Sequence, residues 1–350
     1  MNYKYITLLP LCFVLLTGGA FAGNPDRQGE EGAKQLLINP WARSAGLHSM
    51  NTSMVSGTDA LFLNVAGVAR INKTQIQIGH TRYLDGADIG VNALALAQKV
   101  GKGGAFGISL VALDLGDFDL TTTETSEGSG ATYSPSYFNL GISYSHLFPN
   151  HVSVGIMAKF VNEGIPNAGA RAMAIDAGVQ YVTGAKDNFK FGISLRNIGG
   201  KMRFTGEGLS TSNDGNNEVF DYPITYYQRS AEYELPSQLN IGASYDWLLG
   251  RTGRLTLMGN FTSNAFSRDQ LGGGLEFALR QNFALRLGYK MEFEAPQGST
   301  QASLDNGISA GLTVALPLRK GTENRLSLDY GYRYTSVFNG IHNLGVRIDM

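Results

Sequence analysis

The chain has 350 residues, with 28 Lys and Arg against 29 Asp and Glu, a balance that offers neither a basic field for nucleic acid nor an acidic tail. Charged residues make up only 16 % of it, below the roughly 25 % usual in soluble domains. Glycine is frequent at 45 residues, beside 16 Tyr and 18 Phe, a composition that suits a β-rich chain crowded at small residues and poorly suits a helical enzyme.

The first 22 residues read as a secretory signal peptide. Lys4 supplies the positive charge, Ile6 to Leu16 the apolar stretch, and Ala20-Phe21-Ala22 a small-x-small cleavage site, so the mature chain is expected to start at Gly23. That stretch is too short to span a bilayer, which takes about 20 residues. The single cysteine, Cys12, lies in the removed segment, leaving no thiol, disulfide or Cys-based metal site. Beyond Gly23 no run approaches the length of a transmembrane helix. A membrane role therefore demands a closed barrel, the other structure that satisfies every backbone group in hydrocarbon.

Residues 23–73 do not alternate. Their apolar residues (Leu36, Leu37, Ile38, Trp41, Leu61, Phe62 and Leu63) argue against disorder. A plug or hatch inside the lumen is the expected use of this segment.

From residue 74 onward, apolar and polar residues alternate with period two. Phe283, Leu285, Leu287, Tyr289, Met291 and Phe293 fall on one face, with Ala284, Arg286, Gly288, Lys290 and Glu292 on the other. Leu326, Leu328, Tyr330, Tyr332 and Tyr334 repeat the pattern, as do Leu344, Val346, Ile348 and Met350. Comparable segments fall near 74–83, 90–100, 103–113, 137–148, 151–162, 170–183, 188–198, 237–247, 253–263, 269–279, 282–294, 304–316, 324–335 and 340–349. These fourteen predict an all-β, 14-stranded antiparallel transmembrane barrel over 74–350, since a tilted membrane strand takes about 9–11 residues and bacterial barrels have even strand counts. Fourteen strands enclose a lumen too wide to fill with wall side chains alone, which is a second reason to expect a plug.

Short turns are expected at 101–102, 149–150, 184–187, 248–252, 280–281 and 317–323. Longer polar connections fall at 84–89, 114–136, 163–169, 199–236, 295–303 and 336–339, with a short one near 264–268. Short turns usually face the periplasm, which would put both chain ends there. Tyr83, Phe148, Trp247 and Tyr334 are candidate interfacial aromatics. Lys159, Arg196, Glu276, Arg286, Lys290, Glu292, Asp329 and Arg333 share the polar face and must point into the lumen, because in lipid each would cost a few kcal/mol, on the order of 2–4 near the midplane. Tyr222, Tyr226 and Tyr227 in the longest loop are candidate partner contacts.

The five histidines are scattered, and no metal spacing, nucleophile elbow or phosphate loop occurs, so no cofactor is expected. Gly272-Gly273-Gly274 sits inside an alternating strand and marks a bend or a close wall–plug contact. His146 has outward parity and is the one candidate for a surface lipase, although an interfacial histidine beside Phe148 is unremarkable.

Asn39-Pro40-Trp41-Ala42-Arg43-Ser44-Ala45-Gly46-Leu47, followed by Gly57 through Gly67 with Asn64, Ala66 and Gly67, resembles the start of the PorV/PorQ family of Bacteroidetes outer-membrane proteins. The resemblance implies a barrel similar to the fatty-acid transporter FadL, and functional or turn roles for Arg43, Gly46, Asn64 and Gly67. It also implies a part in type IX secretion, in which such barrels bind the C-terminal domains of secreted cargo and pass them from the translocon to a surface attachment complex. The alternatives are a FadL-like plugged channel for hydrophobic small molecules and an orphan family member.

Overall fold

The computed structural model describes residues 27–121, 124–214, 223–280, 282–293, 306–318, 324–336 and 338–350. The expected signal peptide and cleavage site, Cys12, Tyr222 and the 295–303 loop lie outside the described residues.

Fourteen strands close into one antiparallel barrel. They are β1 Thr74–Tyr83, β2 Ile89–Val100, β3 Gly104–Asp114, β4 Ser136–Leu147, β5 Val152–Ile165, β6 Ala168–Thr183 and β7 Phe189–Gly199. The second half comprises β8 Gln238–Leu249, β9 Gly253–Asn264, β10 Gln270–Leu279, β11 Phe283–Glu292, β12 Gly307–Pro317, β13 Arg325–Arg333 and β14 Ile341–Asp349. Each strand pairs with its chain neighbours, and β1 closes on β14 with Gln75 opposite Asp349.

The sequence alternation becomes an inside-out hydropathy. On β11 the exposed positions are Phe283, Leu285, Leu287 and Tyr289, Leu287 being 57 % exposed. The buried ones include Ala284 and Arg286. Ile78, Ile108, Ile142, Ile156, Leu328 and Leu344 continue the greasy outer belt. Apolar surface on this scale is unfavourable in water and matches hydrocarbon. Among the described residues no helix is long and apolar enough to cross a membrane, so the strands carry the span.

Two details differ from the sequence expectation. The long loop expected at 163–169 is a tight hairpin: β5 and β6 run to Ile165 and Ala168, which pair, leaving Pro166 and Asn167 as the turn. Proline presets the first turn position and Asn167 takes the left-handed conformation (φ 63°) that the second requires. Phe148, Trp247 and Tyr334 lie on the outer face, but Tyr83 has the inward parity of Gln75, Gln77 and Thr81 and packs on the lumenal core.

The N-terminal segment lies inside the barrel as short turns: 3-10 pieces at Lys34–Leu37, Gly57–Asp59 and Val65–Arg70, and single α-turns at Ala42–Ala45 and Ala60–Leu63. Such pieces are too short to be stable by propensity and are held by the wall. Trp41, Val55, Leu61, Leu63, Val65 and Val68 pack on the inward residues of β2 and β3 (Val91, Ala93, Ala95, Ala97, Ala105, Val111) and on Met157 of β5. The segment crosses the whole lumen. Its far end meets the 200–237 connection, where Gly32 N–H donates to the Glu234 carbonyl at 3.0 Å, while Met350 and Thr74 bond at the opposite, short-turn rim. Arg27 and Met350 therefore lie at opposite rims, because the chain threads the barrel before entering β1.

Candidate functional site: the lumenal segment and the loop over it

The lumenal segment is fixed to the wall by buried polar groups. Asn64 caps the Val65–Arg70 turn, accepting from Ala66 N–H at 3.2 Å, and its amide nitrogen lies 3.0 Å from the Thr52 carbonyl, 3.2 Å from that of Val179 on β6 and 3.3 Å from that of Ile193 on β7. Gln180 of β6 donates to the Thr52 and Val55 carbonyls at 3.0 and 2.9 Å. Thr58 bonds to both Gln75 and Gln77 of β1.

Glycine permits a close backbone approach at Gly46, where an added Cβ would fall 2.7 Å from the Cα of Gly311 on β12. Gly67 lies under the Val55 carbonyl, which a Cβ would meet at 2.1 Å. The Gly272-Gly273-Gly274 run has the same use: Gly272 faces Met50 and Gly274 faces Leu47, both of the lumenal segment.

Arg43 projects from Ala42–Ala45 toward the charged wall. Burial alone would lower its pKa, but the fields of Asp59, Asp329, Glu276 and Asp349 outweigh that and raise it. On the wall, Lys159 pairs with Asp176 at 2.6 Å and donates to Asn197 at 2.8 Å. Asp176 sits at a β-bulge, where its carboxylate accepts from Asn197 N–H at 2.7 Å. Glu276, 2 % exposed, is flanked by Arg286 and Arg254, each at 2.7 Å. Arg286 also donates to Thr313, which bonds to Asp329, and Asp329 faces Arg347 at 3.5 Å. Arg196 donates to the Leu36 carbonyl at 3.3 Å and stacks over Phe62 at 4.0 Å. Lys290 donates to Gln270 at 2.9 Å, and Gln270 donates to Glu292 at 3.1 Å. Arg333 lines the same polar space as Lys290. These residues thus form several separate clusters, not one site.

The described part of the loop between β7 and β8 packs on the lumenal segment at the long-loop rim. Met202, Leu235, Phe204 and Tyr233 pack on Ala33 and Leu36 of the lumenal segment and on Val161, Ala170 and Ala174 of the wall. Glu163 of β5 joins all three parts, accepting from Gln35 at 2.7 Å and from the Tyr233 hydroxyl at 2.6 Å. Burial, then that bond to Glu163, pushes the Tyr233 phenol far above its ordinary pKa. Arg27 pairs with Glu234 at 3.1 Å and lies over Phe266 at 4.5 Å. Above this junction a ribbon pairs Ser210–Asp214 with Pro223–Tyr227. Tyr226 and Tyr227 are exposed on it, Tyr227 accepting from Gly206 N–H at 3.3 Å. A second ribbon pairs Phe118–Asp119 with Thr132–Tyr133, and Phe118 stacks on Tyr133. His146 lies on the outer face between Tyr144 and Phe148, its ring centroid 4.7 Å from that of Phe148.

Several contributors were not singled out from the sequence: Asp176, Arg254, Arg347, Gln180, Glu163 and Tyr233. Inward parity was the available signal for the first five, and Tyr233, in the loop, had none. Their partners are set by strand register, which parity does not give.

This architecture defines an outer-membrane barrel of fourteen strands whose lumen is occupied by its own N-terminal segment. Solved structures are similar in fold: a Pseudomonas aeruginosa FadL homologue (14 % identity, TM-score 0.52, covering 88 % of this chain and 98 % of that one) and a mutant of the monoaromatic hydrocarbon channel TodX (14 %, 0.53, 88 % and 96 %). The toluene transporter TodX of Pseudomonas putida is similar at 13 % and 0.50, covering 89 % and 96 %. At these identities the likeness is one of fold. No curated protein sequence matches the chain. The family model described as "Type IX secretion system protein PorV" matches residues 26–266, which include the whole lumenal segment and both ribbons. The chain belongs to the PorV family.

Proposed function

We propose that this barrel serves type IX secretion as a docking protein at the cell surface rather than as a conduit. The long-loop rim faces outward, binds the C-terminal domain of secreted cargo, and passes it from the translocon to attachment-complex proteins. The lumenal segment is a plug, with Arg43, Gly46, Asn64 and Gly67 as its anchors and the 200–237 loop as its lid. The observation that carries this reading is the occupied lumen: among the described residues, a cavity between segment and wall, lined by Leu36, Ile38, Trp41, Leu61 and Phe62 and by the polar Asn139 and Lys159, has a volume of about 20 Å³. That is room for about one water molecule and not for a hydrocarbon, which argues against the hydrophobic-channel reading. The larger cavities, about 380 and 520 Å³, lie at the short-turn rim among charged residues. What remains for partners is the loop surface, where Tyr226, Tyr227 and Phe118 are exposed. Large aromatics on such a surface suit protein contacts.

A photo-crosslinker placed at Tyr226 or Phe118 in living cells tests this. Adducts with cargo C-terminal domains or attachment proteins are expected. Adducts confined to lipid, together with unchanged secretion when the ribbon 210–227 is removed, would sink the proposal.

A further inference from the structure

We infer that the short-turn rim holds a binding site for a phosphate group. A cavity of about 520 Å³ opens there between the lumenal segment and the wall from β8 to β14. Three of its arginines belong to the ion-pair network: Arg254 and Arg286 flank Glu276, and Arg347 lies 3.2 Å from Asp349 and 3.5 Å from Asp329. Arg43, Arg251, Arg280 and Arg325 line the same space. Among the described residues seven guanidiniums thus line the space with two carboxylates, Glu276 and Asp349; Asp329, Asp246 (shared with Lys190) and Asp59 stand close by, and positive charge still exceeds negative. Arg251 and Arg280, on the turns after β8 and β10, are exposed and take no part in these pairs.

Like charges this close in a partly enclosed space repel one another, and an anion relieves the repulsion. Guanidinium forks match the oxygens of phosphate two at a time, and the tetrahedral non-bridging oxygens, two in a phosphodiester and more in free phosphate, can engage more than one fork. Nε of Arg254 is a buried donor in the cavity wall with no hydrogen-bond partner, and Nη1 of Arg347, a residue 7 % exposed, has only the Asp329 carboxylate at 3.5 Å. Both are placed to donate to ligand oxygens.

The outer lip of the cavity includes Phe283, 51 % exposed on the lipid face, and Leu248, 50 % exposed at the rim with the inward parity of Asp246. A phosphate carried on a lipid can enter from the adjacent leaflet with its acyl chain along Phe283, whereas free phosphate enters from the aqueous side. Both present non-bridging phosphate oxygens to the arginines. The site lies at the rim opposite the 200–237 lid, so it stands or falls independently of the cargo role.

The test uses full-length protein folded in a non-ionic detergent, with folding checked by heat-modifiable gel migration. Native mass spectrometry reads retention of phosphatidylglycerol against phosphatidylcholine, and calorimetry reads inorganic phosphate. Selective retention of phosphatidylglycerol, weakened about tenfold in R251Q/R280Q and unchanged in the long-loop variant R229Q, supports the site with a lipid source. The same pattern for inorganic phosphate alone supports it with a soluble source. If R251Q/R280Q does not fold, R43Q takes its place. Absence of selective binding of either probe, or equal binding by the folded arginine variant, overturns the proposal.

Discussion

Along β2 and β3 the inward positions are Val91, Ala93, Ala95, Ala97, Ala105 and Val111, packed on Trp41, Leu61 and Val68. Along β10 to β14 the inward positions include Glu276, Arg286, Thr313, Asp329 and Arg347, linked into a buried polar network. Both walls are equally greasy outside, yet one presents a hydrocarbon core to the lumen and the other an ionic one. The difference follows from what each wall meets: the apolar turns of the lumenal segment press on the first, while Arg43 and a water-accessible rim meet the second. Alternation therefore tells inside from outside, but the guest in the lumen decides what the inside is made of.

The comparison can be broken at either wall. Glu276→Ala strips Arg254 and Arg286 of their shared carboxylate, and removing one partner of a buried pair costs about 3–5 kcal/mol. The predicted readout is a lowered urea midpoint for the folded barrel in vesicles, and a loss below 1 kcal/mol would mean that the ionic wall is solvated and dispensable. On the other wall, Leu61→Ala leaves a cavity in the apolar core and is expected to cost about 2–5 kcal/mol by the same measurement, with the charged wall unaffected. Leu287→Arg places a charge on the lipid face and should cost about 2–4 kcal/mol; tolerance of it would contradict the outward assignment. The smallest effect is expected from Asn64→Ala, about 1 kcal/mol for a lost cap, seen first as protease sensitivity of the lumenal segment before any loss of the barrel.

The barrel was legible because a period of two sustained over 9 to 16 residues has one physical solution when the outward set is apolar. Expected and observed strand ends differ mostly by one or two residues, as at β11, expected over 282–294 and found at Phe283–Glu292. The exception at β5 and β6 arose from Gly164, Pro166 and Gly169, which read as loop but accommodate a tight hairpin held by cross-strand pairs. Tyr83 is a related case: by residue type and position it looks interfacial, but its parity at the strand end points inward.

Less of the candidate site could be read. Turns of three to six residues carry no usable helical period, and the lumenal segment takes its shape from contacts such as Asn64 with Val179 and Ile193, which lie more than 100 positions away in sequence. The inward charges were visible by parity, but pairings such as Lys159 with Asp176 depend on register and on a bulge. The role of Tyr233 over Glu163 gave no periodic signal at all.

The most direct measurement of whether the lumen is closed by the chain's own N-terminal segment is ionic conductance of the purified full-length protein in a planar bilayer. A silent barrel, with no sustained current steps across physiological voltages, is the predicted result. Long-lived openings of a size expected for an unobstructed fourteen-stranded pore would contradict it.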